Sequence, residues 1–370
     1  ALEAAAQVRD RLGELRPDWC VVFATDEHTG FVDSMRESLT ESLGTPYVVG
    51  CSAAGVLADG EEFEQGPALG ILAVRSDRIR ATPFCFRDTG DHGMTAATRL
   101  GQRMVGSRDS GDLLVVWPDP FNVRPNRLLA GLDTVLPGLP VVGGAASSKI
   151  NGKTLQFCGV ESACAGVSGL RMAGTFSHTI EVTHGCAPLA RPSRATHVHE
   201  NLILELDGRP AFDVLEELAP AELMDDLPAA MNYLFVGLLP AGAEDDDYLI
   251  RNIVDADPDT GVVAISDHVD EGQQLVFALR GREAARRDLA GALRRIRTAG
   301  AGRDYRFGLY FNCLARGRAL YREPGVDAAE IRRALPDVPI LGFFCNAEIA
   351  PLNGVNQLFT YTGVLALFGD

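Results

Sequence analysis

One layout occurs three times along the chain, and it limits the folds open to it. An apolar strand-like run is followed by an amphipathic helical stretch, then by a second apolar run that a proline leads in and a glycine closes. The first copy goes from Cys20-Val-Val-Phe-Ala to Pro46-Tyr-Val-Val-Gly50. The second goes from Leu113-Leu-Val-Val-Trp to Pro140-Val-Val-Gly143, and the third from Gly308-Leu-Tyr-Phe to Pro339-Ile-Leu-Gly342. Each spans about 30 residues, the length of a βαβ crossover that returns the chain parallel to its start.

The intervening segments carry helical periodicity. Phe31, Met35, Leu39 and Leu43 recur every four residues, and Asp327-Ala-Ala-Glu330 ahead of Ile331 and Leu335 has the form of a capping box. Copies two and three are each preceded by a strand pair and a helix: Leu69 to Val74 with Ile79 to Phe86, and Val262 to Ile265 with Leu275 to Leu279. At 370 residues the chain exceeds what one core usually serves. The expectation is therefore an α/β protein of two related modules, internally duplicated, with repeated βαβ units and mixed sheets. The boundary is placed in Ala190-Arg-Pro-Ser-Arg-Ala-Thr196, giving modules 1–192 and 193–370. The acidic run Glu244-Asp-Asp-Asp247, between Tyr233 to Leu239 and Tyr248 to Val254, reads as a solvated hairpin loop before it reads as a cation site.

A formal charge of −16 repels phosphate backbones and anionic headgroups, so nucleic acid is an unexpected partner. No run has the length and apolarity of a membrane span, and no leader pattern is visible, so a cytoplasmic location is expected. Eight scattered cysteines without a CxxC pair read as reduced thiols, several of them buried and inert.

In α/β sheets, ligands collect beyond the carboxyl ends of parallel strands. The turns there are Gly50-Cys51-Ser52-Ala-Ala-Gly55, Gly143-Gly144-Ala-Ala-Ser147-Ser148, Asn312-Cys313-Leu-Ala-Arg316-Gly317 and Gly342-Phe-Phe-Cys345-Asn346-Ala-Glu348. Glycine lets backbone N–H groups approach a ligand, and Cys, Ser and Asn add small polar contacts, although such turns are common without any ligand. Arg316 and Arg251 are cations in otherwise uncharged stretches, and Glu348 and Glu271 are carboxylates near turns. An Arg fork suits a ligand carboxylate and a Glu an ammonium, while Arg–Glu pairs joining the modules are the plainer use. The site expected is a pocket for a small polar metabolite formed by these turns with Arg251, Arg316 and Glu348.

Other chemistries have thinner support. Cys313 and Cys51 are the candidates if the chain is a cysteine-dependent hydrolase or transferase, but no His lies near either in sequence. His197-Val-His199 lacks a third metal ligand, and a haem would need one axial imidazole, for which His178, His184 and His268 are equally available. Asn151-Gly152-Lys153-Thr154 resembles the end of a P-loop, yet Ser147 stands where that motif needs glycine. GxGxxG, HExxH and GxSxG do not occur in a usable context. A scaffold without a pocket is the remaining non-enzymatic alternative.

Gly50-Cys-Ser-Ala-Ala-Gly55 after Pro-Tyr-Val-Val, with Val141-Val-Gly-Gly144 later, resembles the FIST N-terminal domain. His199-Glu-Asn201, Leu202-Ile-Leu-Glu-Leu-Asp-Gly-Arg-Pro-Ala211, Tyr248-Leu-Ile-Arg251, Glu271-Gly272, Cys313-Leu-Ala-Arg-Gly317 and Leu341-Gly-Phe-Phe-Cys-Asn-Ala-Glu-Ile349 are similar to the FIST C-terminal domain. The resemblance runs from about Trp19 to Phe368. It implies the F-box and intracellular signal transduction family, whose members are thought to sense small ligands such as amino acids, often beside output domains. It also implies a protein partner in signalling, and it keeps a haem-based gas sensor as an alternative to a protein without cofactor.

Overall fold

The computed structural model describes residues 1–87, 91–104, 111–149, 152–159, 161–163, 166–242, 244, 247–299 and 303–369. Helix α1 (Leu2–Leu12) precedes the first copy, which is β1 (Trp19–Thr25), α2 (Val32–Leu43) and β2 (Val48–Ala53). A small hairpin follows, β3 (Val56–Ala58) with β4 (Glu61–Phe63), then a return strand β5 (Leu69–Val74), a linking strand β6 (Ile79–Arg87) and α3 (Met94–Met104). The second copy repeats this order: β7 (Leu113–Pro118), α4 (Pro125–Val135), β8 (Val141–Gly144), hairpin strands β9 (Gln156–Cys158) and β10 (Glu161–Ala163), return strand β11 (Gly166–Gly174) and linking strand β12 (Ser177–His184).

A different set of elements intervenes: β13 (Cys186–Pro188), β14 (Ser193–His199), β15 (Leu202–Leu206), β16 (Arg209–Pro210), α5 (Ala211–Leu218), α6 (Ala221–Met224), α7 (Leu227–Ala230), β17 (Leu234–Leu238), β18 (Leu249–Asp257), β19 (Val262–Ile265) and β20 (Gln274–Arg280). After α8 (Arg282–Ala299) comes the third copy: β21 (Tyr305–Cys313), α9 (Gly317–Tyr321), α10 (Val326–Ala334), β22 (Ile340–Cys345), hairpin β23 (Glu348–Leu352) with β24 (Val355–Phe359), and return strand β25 (Thr362–Gly369).

Among the described residues the strands form four sheets, and three share one plan: β10-β9-β2-β1-β5, β24-β23-β8-β7-β11-β6 and β4-β3-β22-β21-β25-β12. In each, the two strands of one copy run parallel and the return strand lies antiparallel to the first. The second strand of each copy would be left with bare N–H and C=O groups along its outer edge. A hairpin borrowed from another copy covers that edge. The first copy lends its hairpin to the third, the third to the second, and the second to the first. The exchange closes a ring, so no copy completes a sheet by itself.

The closing glycines owe their recurrence to this packing. Gly50, Gly143 and Gly342 are the register partners of Val22, Val116 and Tyr310 across the parallel pairs. A Cβ at any of the three would run into the carbonyl oxygen of that partner. The next residue on each first strand is aromatic and fully buried: Phe23, Trp117 and Phe311. Phe23 meets Trp117 edge-on at 5.4 Å and Phe343 at 4.4 Å, and Phe311 meets Phe343 at 5.9 Å. Glycine lets the strands come close where these rings pack between the sheets. On the outer faces, Met35, Leu39 and Leu43 of α2 cover Val22 and Val48; Leu100, Leu128 and Leu132 of α3 and α4 cover Val116 and Val141; Leu289, Leu293 and Ile331 cover Tyr310 and Leu365.

The chain divides into two compact units. The first is Ala1–Thr183 with Leu289–Leu358 and Thr362–Asp370, and contains all three copies; the second is His184–Asp288 with Phe359–Tyr361. The anticipated boundary between residues 192 and 193 falls within the second unit, between β13 and β14. That unit is an antiparallel sheet, β13-β20-β14-β15-β19-β18-β17, which a β20–β17 pairing closes on itself around Ile203, Leu206, Phe212, Val236, Ile253 and Phe277.

Three local expectations are corrected. The strand pairs expected before copies two and three are not paired: β5 lies against β1 and β6 against β11, while β19 joins β15 and β18 and β20 joins β13, β14 and β17. The short link at residues 75–78 passes the chain from one sheet to another and does not turn a hairpin. Phe31 ends a 3-10 turn and is 69% exposed, so the buried stripe begins at Met35. No capping box forms at α10, because the Asp327 carboxylate is taken by Arg316; Glu62 of β4 accepts the Gly325 and Ala328 N–H groups instead. Strands β17 and β18 do pair antiparallel as expected, while Ala243, Asp245 and Asp246 of their acidic connection lie outside the described residues. Among the described residues no helix is long and apolar enough to cross a membrane.

Candidate functional site

Each second strand ends in a turn, and the hairpin exchange draws the three turns into contact within the first unit. Phe344 N donates to Gly55 O at 2.9 Å, Asn346 N to Ala145 O at 3.0 Å and Ala145 N to Ala347 O at 2.8 Å. The Ser147 hydroxyl donates to Phe344 O and accepts from Ala54 N, and Ser52 Oγ accepts from Leu155 N at 3.0 Å. Gly144 lies so close to Cys345 that a Cβ would stand 2.9 Å from the sulfur. Of the residues expected from the sequence to share a site, Ser52, Gly144 and Asn346 take part in these contacts, while Gly50, Cys51, Gly143 and Gly342 lie in the strands that end there. Most of the polar groups the turns carry are used in holding one turn to another. Asn346 alone of this set has an exposed side chain.

Beneath the turns sits a buried carboxyl. Glu348 Oε2 accepts from Thr362 Oγ1 at 2.6 Å and Thr362 N at 3.2 Å, and Oε1 lies 3.2 Å from Cys345 Sγ. Cys313, the register partner of Cys345, bonds the same carboxyl. Burial pushes the Glu348 carboxyl up to about 7, because these donors only partly replace water. Burial also holds the Cys51 and Cys345 thiols well above the ordinary thiol range. That is the reverse of what a nucleophilic cysteine needs. Among the described residues no cysteine is in a disulfide; Cys164 lies outside them.

On the helix-facing side of β21 and β22, Arg316 is completely buried. Its Nε and Nη2 donate to Asp327 Oδ2 and Oδ1 at 2.9 and 3.0 Å, and Nη2 also donates to the Tyr321 hydroxyl at 2.8 Å. The Tyr310 and Tyr321 hydroxyls donate to the same carboxylate at 3.0 and 2.7 Å. Burial alone would raise Asp327, but the Arg316 guanidinium and the two hydroxyls outweigh it and hold the carboxyl below its usual range. Glu62 is pushed up to about 7 by burial and then by the Asp327 charge. The Arg316 fork is therefore occupied from within. Its Nη1 is buried without a hydrogen-bond partner, and so are both Oδ1 and Nδ2 of Asn312. Gly317, at φ 54°, packs against Phe344 and Glu64, with no room for a Cβ.

Arg251 belongs to the second unit, where its Nε donates to Asp267 at 2.6 Å; Glu271 is exposed in a turn of that unit. Of the imidazoles considered for haem, His178 is half-buried on β12, His184 stacks on Tyr248 at 4.4 Å, and His268 faces Asp270 at 3.2 Å. His197 and His199 are exposed on β14. Among the described residues no three His, Cys, Asp or Glu side chains are grouped to hold a metal ion. Asp327, Tyr310, Tyr321, Glu62 and Thr362 join these groups without a signal in the sequence that marks them as site residues. Asp327 was legible only as a cap, and nothing in the spacing of Glu62 and Asp327 brings them together.

The chain matches the family model described as the FIST N domain over residues 18–209 and the one described as the FIST C domain over residues 211–351. It is 31% identical to an uncharacterized protein of Mycobacterium tuberculosis over 375 aligned positions, covering 100% of this chain and 96% of that protein. An uncharacterized protein of Mycobacterium bovis is 30% identical, with 100% and 95% covered. The human F-box only protein 22 is 32% identical over 100 residues, 27% of this chain and 25% of that protein.

Proposed function

The chain belongs to the FIST family, and on that footing we propose that it is a sensory protein that binds a small polar metabolite of the amino-acid type beside the carboxyl ends of β21 and β22. FIST domains are associated with signal transduction and are proposed ligand-binding domains. One observation carries the choice of position: the Asn312 amide is fully buried with neither its oxygen nor its nitrogen hydrogen-bonded. Leaving such a group unsatisfied costs roughly 1–3 kcal/mol, which a ligand that pairs with it would offset. Asn312 offers an acceptor and two donors, and Arg316 Nη1 offers further donors. A ligand carrying both a carboxylate and an ammonium complements that set. Of the two thiols considered as nucleophiles, Cys51 is fully buried and burial raises it well above the ordinary thiol range, the reverse of what turnover at that thiol needs.

Asn312→Leu separates a structural amide from a ligand-binding one. The variant has no internal hydrogen bond to lose, so its melting temperature should equal or exceed that of the parent while ligand binding disappears. Native mass spectrometry of freshly purified protein and a thermal-shift panel of the L-amino acids read the second effect. A variant that keeps the parent's ligand and affinity would overturn the assignment.

A further inference from the structure

At the opposite end of β22 from the turns, the first unit carries a cleft of about 300 Å³ that none of the groups above uses. Its floor is apolar: Leu57 of β3 and Ile331 of α10, each 1% exposed, with Val338 and Ile340 from the segment entering β22. Its charged lining is two guanidiniums, Arg11 of α1 and Arg332 of α10, and two carboxylates, Asp59 of the β3–β4 turn and Asp337 of the segment before β22. That volume is at the lower end of what small-molecule sites occupy, and the lining joins an apolar bed to a charged wall.

The Arg332 head is held in place. Its stem lies directly on Gly60, where a Cβ would strike the Arg332 Cδ, and Gly60 has the left-handed φ of 79° that spares it a side chain. The guanidinium then donates to the Asp59 carbonyl oxygen. A carbonyl does not neutralise a cation; the Asp59 carboxylate acts on Arg332 through its charge alone, and among the described residues no carboxylate lies within ion-pair distance of it. Arg11 does pair with the Asp59 carboxylate, at 3.0 and 2.9 Å, but both side chains are more than half exposed, where such pairs contribute little.

We infer that this cleft binds a small amphipathic carboxylate, a short aliphatic or aromatic acid whose tail lies on Leu57, Ile331, Val338 and Ile340 and whose carboxylate meets Arg332. The site is separate from the turns and does not depend on the reading of Asn312.

Isothermal titration of the full chain with hexanoate and phenylacetate, and with hexan-1-ol as the uncharged control, tests it. Saturable binding of the acids is expected, with the alcohol at least tenfold weaker. Arg332→Met keeps the stem on Gly60 and removes the charge; it should weaken hexanoate about tenfold, the effect of losing one charge-assisted contact, without moving the melting temperature. Amide shift changes at Ile331, Val338 and Ile340 in the parent protein locate the ligand without any variant. Asn312→Leu should leave hexanoate binding as it is. Equal affinity for the alcohol and the acid, unchanged affinity in Arg332→Met, no saturation at millimolar acid, or loss of hexanoate binding in Asn312→Leu would each overturn the inference.

Discussion

Replacing Glu348 with Gln asks whether a neutral carboxyl holds the centre of the interlocked turns. In the folded chain this carboxyl is pushed from 4.5 up to about 7. Between those two values the folded state keeps a proton that the unfolded state has released, so the stability it contributes falls as pH rises through that window and is level above it. At roughly 1.4 kcal/mol per tenfold change, ionising Glu348 costs the folded protein about 3 kcal/mol at pH values above the window. Gln does not ionise. With its oxygen on Thr362 N and Oγ1 and its amide nitrogen toward Cys345 Sγ, it reproduces the protonated carboxyl. The variant should therefore match the parent near the acid end of the window and exceed it by about 3 kcal/mol above the basic end. Glu62 is pushed up to about 7 as well and contributes with the same sign, so the substitution should remove about half of the combined slope. Urea midpoints across the window give the measurement. A variant that keeps the full parental slope, or is less stable than the parent at the basic end, would refute the reasoning.

Four further variants probe the packing. Asp327→Ala leaves Arg316 buried without its counter-charge and should lower stability by about 3–5 kcal/mol in urea unfolding, whereas Arg316→Met combined with Asp327→Leu should recover only the part due to the unpaired charge, because the Tyr310 and Tyr321 hydroxyls still lack their acceptor. Gly342→Ala drives a Cβ into the Tyr310 carbonyl oxygen, a backbone atom with nowhere to go, and should cost about 3 kcal/mol. Gly30→Ala, with nothing within 4 Å of the new Cβ, should shift the midpoint by less than about 0.5 kcal/mol.

The three copies were legible in the sequence because a βαβ crossover writes itself locally, as a proline leading in, a glycine closing and a helical period between them. The place of Gly50, Gly143 and Gly342 near the ends of like strands was legible for the same reason. The cause of the glycines was not. Spacing cannot tell a close approach to a ligand from one to the carbonyls of Val22, Val116 and Tyr310. The hairpin exchange was hidden because it rests on very short strands: Val56–Ala58 has no periodicity to read, and its partner, Leu341 to Phe343, lies far away in sequence. Arg316 stood out as a cation in an apolar stretch, but its partner Asp327 was read as a cap because a local rule accounted for it.

The exchange explains how a change at one turn can reach the other two. The FIST N match holds the first two copies and the FIST C match holds β21 and β22 of the third, yet neither contains a complete ring. Strand β3 from the first part covers the edge of β22, and β23 from the second part covers the edge of β8. Contacts at the candidate site also cross between the parts: Ser147 on Phe344 O, Gly55 O on Phe344 N, Ala145 N on Ala347 O. Asn312 lies directly opposite Phe344 in the β21–β22 register. A ligand that pairs with Asn312 and displaces Phe344 by a fraction of an ångström would strain hydrogen bonds to two other copies at once. Close-packed interiors pass such strain on and do not absorb it.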